Sequence, residues 1–127
     1  IKSTTFQDSQ DLPTILFQGS SLDDVTFDNV EMYWPIFFES TFAKSVIFKD
    51  SILYRPDFSG VDLTKAEFNN RTVICEANLQ DATYTDATFE GSKWFQAYVS
   101  VDGMTTYIDH PNNITDEASR PKECKGY

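Results

Sequence analysis

From Phe17 to Val99 an apolar residue recurs at every fifth position, interrupted by only two one-residue slips. The series runs Phe17, Leu22, Phe27, Met32, Phe37, Phe42, resumes at Phe48, Leu53, Phe58, Leu63, Phe68, and again at Ile74, Leu79, Tyr84, Phe89, Trp94, Val99. A period of five fits neither a helical face at 3.6 nor a strand face at 2. Two residues before each centre stands a smaller side chain: Val, Ser or Pro in the first half, as at Val25, Val30, Pro35 and Ser40, and mostly Ala later, as at Ala77, Ala82 and Ala87. The other three positions are mostly polar, as in Asn78, Gln80, Asp81 and Thr83. Each unit therefore aims one large and one small side chain inward and three outward. Repetition at a short fixed period predicts a solenoid, whose units bury their apolar faces only by stacking on neighbours.

The stretch Ala77-Asn78-Leu79-Gln80-Asp81, followed by Ala82-Thr83-Tyr84-Thr85-Asp86 and Ala87-Thr88-Phe89-Glu90-Gly91, resembles the pentapeptide-repeat family, whose units approximate Ala-(Asp/Asn)-Leu-X-X. The resemblance covers roughly residues 13 to 101 and is degenerate in its N-terminal half. It implies an all-β fold, a right-handed quadrilateral β-helix solenoid of about four coils, with one unit on each face. On this reading residues 1–14 form an N-terminal cap or first partial coil, with Phe6 and Leu12 as anchors. Residues 15–101 form the β-helix and 102–127 a C-terminal cap.

Four units per coil sort the centres into columns once both slips are counted. One column is Phe27, Phe48, Phe68, Phe89; another is Phe17, Phe37, Phe58, Leu79, Val99. The remaining two are Leu22, Phe42, Leu63, Tyr84 and Met32, Leu53, Ile74, Trp94. At the ordinary strand spacing of about 4.8 Å, the stack makes a rod on the order of 20 Å long.

Charge changes the picture next. Twenty acidic and ten basic residues leave a net charge of −10, which excludes a conventional phosphate-backbone surface and argues against direct nucleic-acid binding. No apolar run reaches the 18 residues of a membrane span. The chain begins at Ile1 with no visible signal segment, as expected of a processed or excised piece.

The last 26 residues, 102–127, lose the period. Within them Thr115 is a candidate N-cap of one short helix, with Asp116 and Glu117 in its first turn and Pro121 ending it. Cys75 follows an inward centre and so points outward; Cys124 lies in the tail. Pairing the two would clip the tail to the outer wall and favour an extracytoplasmic setting (lumenal, periplasmic or secreted), whereas free thiols would favour the cytoplasm. Two sequons, at Asn70 and Asn113, offer possible glycosylation sites in a secretory setting.

One stretch departs from the polar exterior. In Met32-Tyr33-Trp34-Pro35-Ile36-Phe37-Phe38 the register leaves Tyr33, Trp34, Ile36 and Phe38 outside. Tyr33 falls in an outward column with Tyr54, Cys75 and Phe95. Either the tail covers these aromatics, through Tyr107, Ile108 or Ile114, or they form a candidate interface for a protein partner.

Catalytic chemistry is scarce. The single histidine, His110, reads as a surface loop residue, so no Ser-His-acid or Cys-His arrangement can be built without it. No catalytic, cofactor-binding or metal-binding residue is expected, and no cofactor. The expected function is a non-catalytic structural or protein-interaction module, monomeric or weakly dimeric. The resemblance supports extracytoplasmic homes, since the family includes thylakoid-lumen and periplasmic members and a lumenal domain of synaptic vesicle glycoproteins. The alternative is an acidic mimic of duplex DNA that binds a topoisomerase such as DNA gyrase, as other members of that family do. The net charge favours it, while a rod shorter than one duplex turn of about 34 Å opposes it.

Overall fold

The structure is a computed structural model that describes residues 1–10, 16–69, 71–84 and 87–125. Its strands are short, as a chain that must turn a corner every five residues requires. They are β1 (Lys2–Gln7), β2 (Ser21–Asp28), β3 (Glu31–Tyr33), β4 (Thr41–Phe42), β5 (Val46–Lys49) and β6 (Ile52–Tyr54). The second half adds β7 (Ala66–Asn69), β8 (Val73–Cys75), β9 (Lys93–Phe95), β10 (Tyr98–Val101), β11 (Met104–Tyr107) and β12 (Asn113–Ile114).

The strands stack in parallel as a β-solenoid with four ladders. The first is β1-β2-β5-β7, continued by the Glu67–Thr88 bridge; the second is β3-β6-β8-β9-β12. The third is a chain of bridges, Leu16–Ile36–Asp57–Asn78–Tyr98. The fourth joins β2 to β4 and Asp62 to Thr83. The registers are those of the five-residue series: Phe27 pairs with Phe48 and Phe48 with Phe68, while Met32, Leu53, Ile74 and Trp94 align in sequence. Phe6 pairs with Phe27, so the phenylalanine column starts one coil earlier, and with β12 the stack exceeds the expected four coils.

The core is a lattice of rings. Within the Phe6, Phe27, Phe48, Phe68 column successive rings are parallel, 4.7–5.0 Å apart. Phe17, Phe37 and Phe58 stack the same way at 4.9 and 5.1 Å. The two columns meet edge to face, as between Phe37 and Phe48 at 6.0 Å and 84°. Both are favoured aromatic arrangements, so column stacking and column contact are satisfied together. The order ends at Phe89, which tilts 64° from Phe68 because the Trp94 indole lies 4.9 Å from Phe68 and 4.5 Å from Phe89.

Corners set a second requirement. The residue two places after most centres has a left-handed backbone, as at Gly19 (φ 70°), Asn29 (56°), Glu39 (56°), Asp81 (58°) and Trp34 (53°). Hydrogen bonds from Ser20 N to Phe17 O and from Ser40 N to Phe37 O close such turns, the geometry of a type II turn that favours Gly or Asn there. Inside the corner after the first ladder, hydroxyls replace an apolar filler. Ser51 Oγ accepts from Val30 N (3.1 Å) and donates to Lys49 O (2.9 Å); Thr72 Oγ1 accepts from Ser51 N (3.3 Å) and donates to Phe48 O (3.1 Å). These side chains satisfy backbone groups that the ladder leaves open.

The tail differs from its sequence reading. Before it caps the stack, the chain makes an antiparallel hairpin, β10-β11, around Asp102-Gly103, both with positive φ (51° and 78°). It then rejoins the solenoid. Ile108 is buried against the core end, and β12 adds a rung to β9. His110 is not a plain surface residue: it is half-buried, edge-on to Phe89 at 4.8 Å, and its Nδ1 accepts from Asn112 N. In place of one helix capped by Thr115 there are two single 3-10 turns, Glu117–Ser119 and Lys122–Cys124. Asp116, not Thr115, caps the first, because its carboxylate reaches Ala118 N while β12 holds the preceding residues extended.

Asn113 closes the C-terminal end. Its Oδ1 accepts from Ala97 N (2.9 Å), and its Nδ2 donates to Ala97 O (3.2 Å) and Ile108 O (2.9 Å). Replacing it with Ala should cost about 1–3 kcal/mol in urea denaturation, the penalty for stranding buried backbone groups. Unchanged stability would rule out this closing role.

Candidate functional site

The outward column predicted from Tyr33 exists as a ladder: Tyr33 pairs with Tyr54, Tyr54 with Cys75, Cys75 with Phe95, and Phe95 with Ile114. Its two ends face different surroundings. At the C-terminal end the tail lies over it. Cys75 and Cys124 form a disulfide, both sulfurs fully buried, and Phe95 is fully buried beside them. The Arg120 guanidinium sits 4.5 Å above the Phe95 ring, donates twice to the Glu117 carboxylate (2.7 and 3.0 Å) and once to Cys124 O (2.9 Å). The hydrogen bond from Arg120 holds the Glu117 carboxyl below its ordinary range, so the clasp is ionised at neutral pH.

Tyr54 marks the boundary. Its ring stacks on Tyr33 at 4.5 Å, and its hydroxyl donates to Glu31 (3.2 Å). Burial first, and the neighbouring Glu31 carboxylate second, push its phenol well above the ordinary value. The group therefore stays protonated and structural. Beyond it the cover ends.

At the N-terminal end Trp34 is 46% exposed and Leu16 68% exposed, while Ile36 and Phe38 are half-buried. Leu16 and Ile36 are directly paired on the third ladder, and Trp34 turns the corner into it from β3. The left-handed backbone at Trp34 is a property of the corner, since Arg55, Glu76 and Gln96 repeat it in the same column. A tryptophan there is not. The other corners in this column carry charge or amide, including the Arg55–Glu76 pair at 3.4 Å. Two carboxylates flank this stretch in sequence, the half-buried Glu31 and the exposed Glu39, while the register sets Arg55 beside Trp34 in the corner column.

The candidate interface residues thus divide. Trp34, Ile36 and Phe38 lie together on an open surface with Tyr33 half-exposed, whereas Tyr54 and Phe95 belong to a second small core under the tail. Ile114 covers that core as one of the three residues considered; Ile108 went to the main core and Tyr107 remains exposed. Of the possible glycosylation sites, Asn113 is a correction: its amide nitrogen is buried and doubly hydrogen-bonded in the folded chain. Asn70 lies outside the described residues.

Sequence reasoning passed over Leu16, because a lone exposed leucine carries no signal before its pairing with Ile36 is known. Arg120 was equally silent. Asp102-Gly103 was a readable hairpin signal that the loss of the five-residue period obscured. Among the described residues no cluster of His, Cys, Asp or Glu is placed to hold a metal, and no helix is long and apolar enough to cross a membrane. Neither the family models nor the curated proteins contain a match to this chain.

Proposed function

We propose that this chain is a non-catalytic protein-interaction module of the pentapeptide-repeat type, acting in an oxidising extracytoplasmic compartment. The observation that carries the reading is the uneven cover of one aromatic stripe. The tail is clasped by a disulfide and Arg120 over Cys75 and Phe95, and it stops short of Trp34, Leu16, Ile36 and Phe38. The protein already has a way of burying such residues and leaves these open. A partner with an apolar face rimmed by Lys and Arg fits both the patch and the net charge of −10.

Two measurements test this. Trp94 is buried and Trp34 exposed, so acrylamide should quench one tryptophan readily and the other poorly. Native co-purification with the intact chain and with Trp34→Ala should yield a partner whose affinity falls by about 2 kcal/mol or more in the variant and weakens with salt. A partner bound equally by both chains would remove the patch from the function.

The acidic surface also favours the second reading, a DNA-mimicking topoisomerase ligand. Against it stand the rod of about 20 Å and a C-terminal end closed by Ile108, Asn113 and the hairpin, where end-to-end dimerisation would need an open apolar ring. Inhibition of gyrase supercoiling by the purified chain would reverse this preference.

A further inference from the structure

The second slip of the repeat has a structural consequence. It inserts its extra residue at the corner between the first and second ladders, between Phe68 and Ile74. There Arg71 takes a left-handed backbone (φ 66°) and its side chain stands clear of the wall, 88% exposed. The next coil places Gly91 and Lys93 beside it, through Arg71 N to Gly91 O and the pairing of Val73 with Lys93. The 3-10 turn Lys122–Cys124, pinned by the disulfide, forms the opposite wall. The result is a cleft of about 300 Å³ lined by Arg71, Val73, Gly91, Lys93, Lys122 and Glu123.

Its charge is opposite to that of the molecule. Three of the ten basic residues line this one cleft against a single carboxylate, on a chain of net charge −10. Arg71 is partly engaged, its Nε 3.4 Å from Asp50. Among the described residues no carboxylate lies within ion-pair distance of the Lys93 or Lys122 ammonium groups. Two lysines elsewhere are engaged: Lys49 pairs with Asp28, and Lys65 donates to Ala43 O. Three cations held on separate segments around an apolar floor, Val73, suit an anionic head group on a compact body. Lysine acts there as a point charge and arginine as a directional donor. The volume lies at the lower end of small-ligand sites, larger than a bare oxyanion needs.

We infer that this cleft binds a sugar-sized monoester oxyanion, a phosphate or a sulfate, with Arg71, Lys93 and Lys122 holding the anionic group. The site is independent of the Trp34 patch, and its test does not depend on any partner. The intact disulfide-bonded protein is titrated at constant ionic strength with glucose 6-phosphate, glucose 6-sulfate and glucose, followed by amide NMR shifts. Saturable shifts at Arg71, Gly91, Lys93 and Lys122 are expected for at least one ester and none for glucose. Lys93→Gln and Lys122→Gln should each weaken binding about fivefold, and Glu123→Gln should tighten it by about as much. Lys65→Gln, in the turn before β7, should leave it unchanged.

The two esters separate the sources. The ester bound more tightly at about pH 7.5 names the source, and glucose 6-phosphate alone should gain affinity as pH rises through about 6, where it becomes a dianion. Shifts that do not saturate, an equal effect of Lys65→Gln and Lys122→Gln, or no tightening in Glu123→Gln would overturn the inference.

Discussion

Truncating Phe48 or Phe68 to alanine should cost about 3–5 kcal/mol, the range for removing a buried aromatic ring and leaving a void. Both residues are fully buried in the centre of the column. Phe48 has parallel rings above and below, Phe27 at 4.7 Å and Phe68 at 4.9 Å, and meets Phe37 and Phe58 edge to face at 6.0 and 6.3 Å. Coils on either side are tied by backbone hydrogen bonds, so the rod cannot collapse onto the gap and little of the loss is recovered. Thr83→Ala makes the control. Thr83 is exposed on the same solenoid and contributes its backbone N–H to Val61 O, which alanine keeps, so the change should stay within about 0.5 kcal/mol. Equilibrium unfolding of the three variants decides the matter. Similar losses at positions 68 and 83 would contradict the register on which every other assignment depends.

The second large effect belongs to the disulfide. Cys75 and Cys124 are separated by 49 residues, a closure worth roughly 4 kcal/mol in the chain-entropy model. Cys75→Ser is expected to lower stability by about 2–4 kcal/mol. It should also loosen the Arg120 clasp and raise the solvent exposure of Phe95 and Tyr54. Intact mass under denaturing conditions should rise by about 2 Da on reduction. Two free thiols in protein taken from its native compartment would withdraw the main support for an oxidising home.

These two effects differ in how far they can be read without coordinates. The ring lattice was legible because its cause is local and repeated: each five-residue unit shows the same large and small pair, and counting two slips at the four units per coil that the pentapeptide resemblance implies aligns Phe27, Phe48 and Phe68 before any contact is known. The corners left a signal that the five-residue reading did not use, Gly, Asn or Asp two places after many centres, as at Gly19, Asn29 and Asp81. The candidate surface was half legible. Register alone sends Tyr33, Trp34, Tyr54 and Phe95 outward, and all four are outward. Whether each meets water depends on where a non-repeating tail lies.

Sequence by itself therefore determined the solenoid and the inward and outward positions of each unit, with four columns to the core once the pentapeptide resemblance supplied the coil size, since a periodic chain repeats one local solution. The tertiary structure alone decided what becomes of the tail. Its return through Ile108, the end closure by Asn113 and the seating of Arg120 on Phe95 each join residues with no common period. The same holds for the cleft between Arg71, Lys93 and Lys122, whose walls come from two coils and the pinned tail. Such contacts rest on the shape of a surface that must already be assembled, and no spacing along the chain encodes it.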